Sequence, residues 1–225
     1  LSAIIAGFYA RAGIVYLNNG ETGSVTFIGT VSPAGGNLKE PVTESTKKAA
    51  RCFYALSQNR ADSKRYPAID TLDSYSKYLE YPEFIDYSKE KLDENWVGLV
   101  NEARNVLVRG KETEEQINIL GDDSVPIDYH VTLWKSEFVD FVILQQDAFD
   151  KIDATTSLER QEYMLKKVIN VTRSEFKFEG FEEVAIYFKR LINVFRQMNY
   201  TVFKSEEFHK AEEEANAVLE ERIIK

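Results

Sequence analysis

GSVTFIGTVSPAGGNLKEPVTEST, residues 23–46, is the stretch on which the fold turns. Its first part, Ser24 to Val31, is rich in β-branched side chains, and Val25, Phe27 and Gly29 fall on one face at a spacing of two. That alternation predicts a half-buried strand. The strand is expected to stop at Ser32-Pro33, because proline cannot donate to a sheet ladder. Gly35-Gly36 then frees the backbone for a sharp turn. Pro41 closes the loop, and Thr43 or Ser45 is placed to cap a helix starting near Thr46. About a dozen residues thus form a stiff, unpaired loop between strand and helix, a kind of segment that carries function more often than structure.

Upstream, Leu1 to Ala12 predicts a short helix closed by Gly13, then a strand over Ile14–Leu17 and a turn from Asn18 to Gly23. Downstream, the helix from Thr46 is expected to run to Leu56, with Cys52 on its apolar side, followed by irregular chain from Gln58 to Asp73. A pair of strands makes no stable sheet alone. This part therefore reads as the trailing edge of an α/β unit whose other strands are expected to precede Leu1. From Ser74 the period changes to helical. Phe84, Tyr87 and Leu92 begin one apolar face, and Trp96, Leu99, Val100, Ala103 and Leu107 continue it to Gly110. Further helices are predicted over Thr113–Leu120, after Pro126, from Ser157, over Phe181–Met198 and over Ser205–Arg222. No internal repeat or low-complexity segment interrupts them.

The formal charge of −9 argues against nucleic acid, which needs a basic face, and against direct contact with an anionic membrane surface. The lone Cys52 has no internal disulfide partner, which suits a reducing compartment. No apolar run reaches the roughly 20 residues of a membrane span, and the N-terminal LSAIIAGFYA lacks the basic flank of a signal peptide. Neither His130 nor His209 has companions at metal-ligand spacing. The first is expected to be a partly buried helix residue, the second a solvent-facing one. The acidic run Glu212–Glu214 reads as a solvated helix face.

Five blocks point further: GFYARAG (7–13), GSVTFIGTVSPAGG (23–36), EPVT (40–43), RYPAID with SYSKY (65–78), and LQQDAFD (144–150). In this order and spacing they resemble the catalytic A subunit of the rotary V-type and A-type ATPases. The resemblance runs along the whole chain but takes in only the C-terminal part of that subunit. It implies a mainly α chain: residues 1–73 would be the C-terminal edge of a P-loop (RecA-like) α/β nucleotide-binding domain with two short strands, and residues 74–225 a C-terminal helical bundle. It also implies ATP hydrolysis or synthesis coupled to H⁺ or Na⁺ transport, with ATP or ADP and Mg²⁺ bound by the full-length subunit. The implied partners are the non-catalytic B subunit and the central rotor stalk. The place is cytoplasmic, peripheral to the membrane and linked to it only through the complex.

The chain holds no GxxxxGK[ST] phosphate loop. On the resemblance that loop is expected before Leu1, and this segment alone should not hydrolyse ATP. What it would supply is the adenine side of the site. In the family an aromatic residue before Pro-Ala stacks on the base, and Tyr66 with Pro67 holds that position here. The LQQ segment closes the opposite wall, so the implied slot takes Gln145, Gln146, Ala148 and Phe149. Aromatic stacking on a base contributes about 1–3 kcal/mol, and an amide can read its polar edge. By spacing alone Tyr66 is an ordinary loop aromatic and Phe149 an ordinary core residue. Where the family usually carries phenylalanine before LQQ, this chain has Ile143. Lys77 stands where the non-catalytic partner has an arginine that reaches the γ-phosphate; lysine lacks that planar fork, which favours the catalytic subunit over its partner. A helical interaction module of the same ancestry that binds no nucleotide is the alternative reading.

Overall fold

A computed structural model describes residues 2–224. Leu1 and Lys225 lie outside the described residues. The chain opens with helix α1 (Ser2–Tyr9), followed by an antiparallel hairpin of β1 (Gly13–Tyr16) and β2 (Thr22–Val25). In that hairpin Gly13 faces Val25 and Tyr16 faces Thr22. The predicted long strand is cut short at Val25, because no neighbour continues its ladder among the described residues. Every residue of both strands is exposed, not half-buried. Phe27 leaves the ladder and meets Tyr9 edge-on, with ring centroids 4.7 Å apart.

The next helix, α2 (Pro41–Ala49), begins five residues before the predicted Thr46. Its cap is not Thr43 or Ser45 but Glu40, whose carboxylate accepts from the backbone N–H groups of Val42 and Thr43, with proline in the first turn. The helix also stops at Ala49. Residues 52–56, read from sequence as its continuation, form strand β3 (Cys52–Leu56). Cys52 is therefore a half-buried strand residue whose Sγ lies 3.4 Å from Ser76 Oγ. The stretch predicted as irregular holds a short helix, α3 (Gln58–Asp62), and strand β4 (Ile69–Ser76), which pairs antiparallel with β3. The register shifts between Phe53 and Ala55, and β4 runs through the Asp73–Ser74 boundary. Lys77 opens a 3₁₀ turn, Lys77–Glu80.

The rest is helical: α4 (Pro82–Lys91), α5 (Trp96–Leu120), α6 (Ile127–Val139), α7 (Leu158–Arg173), α8 (Phe181–Asn199) and α9 (Glu206–Glu220). α5 is one helix of 25 residues, where two were expected. Gly110 does not end it; the glycine faces α6, where a Cβ would overlap the Ser136 side chain. α6 is prolonged by a π-turn, Asp140–Leu144. Ser157 and Ser205 cap α7 and α9 by accepting the N–H groups of Arg160 and Phe208.

The core lies between α5, α6, α7, α8 and α9, where Phe138, Val168, Ile169, Val184, Phe188, Leu191 and Met198 are wholly buried. Phe138 meets Phe195 edge to face at 4.9 Å. Despite its acidic run, α9 buries a stripe of Phe208, Ala215 and Val218. His130 is buried rather than partly so, stacked on Phe181 at 4.9 Å with Nε2 3.1 Å from the Asp122 carbonyl. Among the described residues no helix is long and apolar enough to cross a membrane.

Candidate nucleotide site at the junction

The sheet half and the helical half meet where two loops touch. One is the 63–68 segment between α3 and β4. Its turn places Lys64 at φ 57°, and the Arg65 N–H closes onto the Arg60 carbonyl at 2.8 Å. The Tyr66–Pro67 bond is cis. The Ser57 N–H donates to the Ala68 carbonyl at 2.8 Å, which fastens the segment to the end of β3. Tyr66 is left 52% exposed.

The other loop leaves the π-turn. The Gln145 N–H reaches back five residues to the Asp140 carbonyl at 2.9 Å, so the next amide is free to leave the helix. That amide, Gln146 N–H, donates to the Tyr66 carbonyl at 2.8 Å. In a plain α-helix it would have gone to Val142. The orphaned Val142 carbonyl instead accepts from Asn199 Nδ2, buried, at 2.8 Å. This exchange brings the two sequence blocks together.

Beyond it the loop is tied to itself by carboxylates. Asp153 Oδ2 accepts from the Asp147 N–H at 2.7 Å, and Asp150 Oδ1 accepts from the N–H groups of Ile152 and Asp153. The Gln146 side chain donates to the Asp153 carbonyl at 3.2 Å, so its amide is already engaged. Gln145 Oε1 is buried without a hydrogen-bond partner. Burial raises the Asp153 carboxyl above the usual range, against the pull of the Asp147 N–H and the nearby Arg160. Ala148 is exposed. Phe149 is 99% exposed, which removes it from the core, while Ile143 packs against the bundle core. A fully bare phenylalanine forgoes the 1.5–3 kcal/mol or so that burial of such a ring contributes. Two ring faces, Tyr66 and Phe149, thus stand open on loops joined by a backbone bond.

Four charged side chains brace this contact; sequence reading took in Arg65 only as the start of the RYPAID block and passed over the other three. Arg65 donates through Nη1 and Nη2 to the two carboxylate oxygens of Glu137, at 3.0 and 2.7 Å, and through Nη1 to Asp140 Oδ2 at 2.6 Å. Its guanidinium lies 4.6 Å above the Phe141 ring. Arg60 Nη1 stands 2.8 Å from Asp140 Oδ1 without hydrogen-bond alignment, and Arg60 Nε has no partner. Burial opposes the Arg65 charge, but the bonds to Glu137 and Asp140 outweigh it and raise its pKa above the ordinary guanidinium value. The signal was there to find: Glu137 and Asp140 sit three apart in the otherwise apolar stretch EFVDFVIL, and Arg60 and Arg65 both precede the aromatic-proline pair.

Two clefts flank the segment. One of about 320 Å³ lies between it and the α5–α6 pair, lined by Arg60, Arg65, Leu107 and Ser136. The other, about 560 Å³, lies under the 32–38 loop, with Gly35, Gly36 and Leu38 facing Ala55, Ala61 and Ala68. Among the described residues no three His, Cys, Asp or Glu side chains converge as a metal site.

Known proteins place this architecture. Residues 1–76 match the nucleotide-binding domain of the ATP synthase alpha/beta family, and residues 85–179 match the C-terminal domain of V and A type ATP synthase. Together the two matches take in most of the chain, each to a domain of the ATP synthases, the second that of the V and A types. The chain's similarity is to the V-type ATP synthase alpha chain: 43% identity over 215 residues with that of Borrelia duttonii (strain Ly), covering 94% of this chain and 34% of that one. The alpha chain of Treponema denticola is 39% identical over 213 residues, covering 95% of this chain and 34% of that one. The chain therefore spans about one third of the length of these curated relatives. The solved ATP synthase subunit NeqB from Nanoarcheaum equitans shares the fold, with a TM-score of 0.55 at 21% identity, covering 77% of this chain and 40% of that one.

Proposed function

We propose that this chain forms the C-terminal part of the catalytic subunit of a V/A-type rotary ATPase, coupling ATP hydrolysis or synthesis to H⁺ or Na⁺ transport. In this reading residues 1–73 end the nucleotide-binding domain and residues 74–225 form the helical domain that faces the central stalk. The non-catalytic B subunit is the alternating partner, and the assembly lies on the cytoplasmic side, peripheral to the membrane. The adenine enters between Tyr66 on Pro67 and Phe149 on Ala148. Gln145 Oε1 is the acceptor without a partner; it is buried, so the exocyclic amine reaches it only as the loop shifts, while Gln146 holds the loop. The phosphates and Mg²⁺ are assigned to the phosphate loop of the full-length subunit, so the segment alone is inactive.

The observation that carries the reading is the 2.8 Å bond from Gln146 N–H to the Tyr66 carbonyl, which sets the two family blocks side by side with both rings open. The test is ATP affinity of the full-length subunit. Tyr66→Ala and Phe149→Ala should each weaken binding by about 1–3 kcal/mol. Unchanged affinity in folded variants would mean that the base lies elsewhere and that the segment is a helical coupling module.

A further inference from the structure

We infer that Arg65, gripped by Glu137 and Asp140, is the positioning residue that sets the Tyr66 ring against the Phe149 loop, so that the helical half governs the width of the base slot. The inference rests on the adenine reading above. Arg65 immediately precedes Tyr66, and its side chain runs away from the slot into α6 and the π-turn. Asp140 is engaged twice: its carboxylate takes Arg65 and Arg60, and its backbone carbonyl takes the Gln145 N–H. One residue on, Gln146 N–H bonds back to Tyr66. The result is a closed circuit: Arg65 side chain, Asp140, Gln145, Gln146, Tyr66 carbonyl, and Arg65 again.

One tether between two loops would fix a distance. Two tethers on adjacent residues, one at the Arg65 guanidinium and one at the Tyr66 carbonyl, fix an orientation as well. The guanidinium fork adds to this, since bidentate contact with Glu137 sets an angle that a point charge would not. Net stability is a weak explanation for such a cluster, because part-buried ion pairs are often no more stabilising than apolar side chains of the same volume. Arg60 Nε is even left unpartnered. α6, which carries Glu137, packs on α5 and α8, so a rotation of the bundle reaches Tyr66 through these bonds.

The decisive variant is Glu137→Gln in the full-length subunit. It keeps the shape and leaves Asp140 opposite both arginines. Arg65→Lys, which keeps the charge but loses the fork, is the second. Affinities are measured for ATP and for inorganic tripolyphosphate, which has no base. Both variants should raise the ATP Kd about five- to tenfold and leave tripolyphosphate unchanged, and neither should add to the loss in a Tyr66→Ala background. A parallel loss for both ligands, or an undiminished ATP loss in that background, overturns the positioning role. If Tyr66→Ala alone weakens ATP while Glu137→Gln and Arg65→Lys do not, the positioning role fails and the adenine slot stands. If Tyr66→Ala has no effect on ATP, the slot itself fails and takes the inference with it.

Discussion

Asp153 sits 5% exposed beneath the Phe149 loop, and burial raises its carboxyl from the ordinary value of 3.8. The folded state therefore takes up a proton at a pH where the unfolded chain has lost it. The contribution of this group favours folding at low pH and fades as pH rises from 3.8 through the raised folded value. Asp153→Asn keeps an acceptor for the Asp147 N–H but removes the titration. Its stability relative to the parent chain, followed by urea midpoints across that window, should climb with pH; a flat difference would show that Asp153 does not titrate abnormally. At this scale the sequence was legible in part. Tyr66, Pro67, Gln145, Gln146, Ala148 and Phe149 could be named from family blocks. Their surroundings could not, because a partner such as Glu137 for Arg65 lies 72 positions away and leaves no local trace.

Among the elements, α5 gives the sharpest test. Alanine is a better helix former than glycine by about 1 kcal/mol, so on propensity Gly110→Ala should stabilise the chain. The contact with Ser136 reverses this: the variant should lose about 1–3 kcal/mol by overpacking, and Ser136→Gly should recover much of the loss, both read from denaturant midpoints. The same contact explains why the sequence misled. A glycine after a run of periodic apolar residues reads as a helix stop, and only the facing helix reveals it as a place of close approach. β3 was lost for a related reason. KKAARCFYAL continues a helical pattern by composition, and what ends the helix is pairing with β4. The capped, strongly periodic helices α7, α8 and α9 were legible to within a few residues, because cap chemistry and apolar spacing agree there.

For the molecule as a whole, burial is uneven. The wholly buried side chains concentrate in α6, α7 and α8, whereas β1 and β2 carry none that is even half-buried. Amide exchange should follow this gradient, slowest in α7 and α8 and fastest in the first hairpin, as local opening free energies range from near zero to the global value. Uniform protection would contradict it. Between the extremes lies the junction, where the Arg104 guanidinium collects the carbonyls of Thr71, Leu72 and Ser74 at 2.9 to 3.3 Å and ties the register shift of β4 to α5. The architecture of a sheet edge followed by a bundle was readable from the change of period near Ser74. The joining contacts were not, since each links groups far apart along the chain, as Gln146 N–H does to the Tyr66 carbonyl and Arg104 to the β4 carbonyls.

The π-turn at Asp140–Leu144 has one more consequence. Each residue of an α-helix advances the chain by about 100° around its axis, and a π-turn absorbs one residue beyond the regular count. The segment is therefore a phase setter: what it conveys to the loop beyond is a number of residues as much as their identity. Substitutions within DFVIL would change its chemistry one contact at a time. Loss of a single residue would wind it into a plain helix, return the Val142 carbonyl to its own ladder, leave Asn199 without its acceptor, and aim the 145–150 loop at a different quadrant of the molecule.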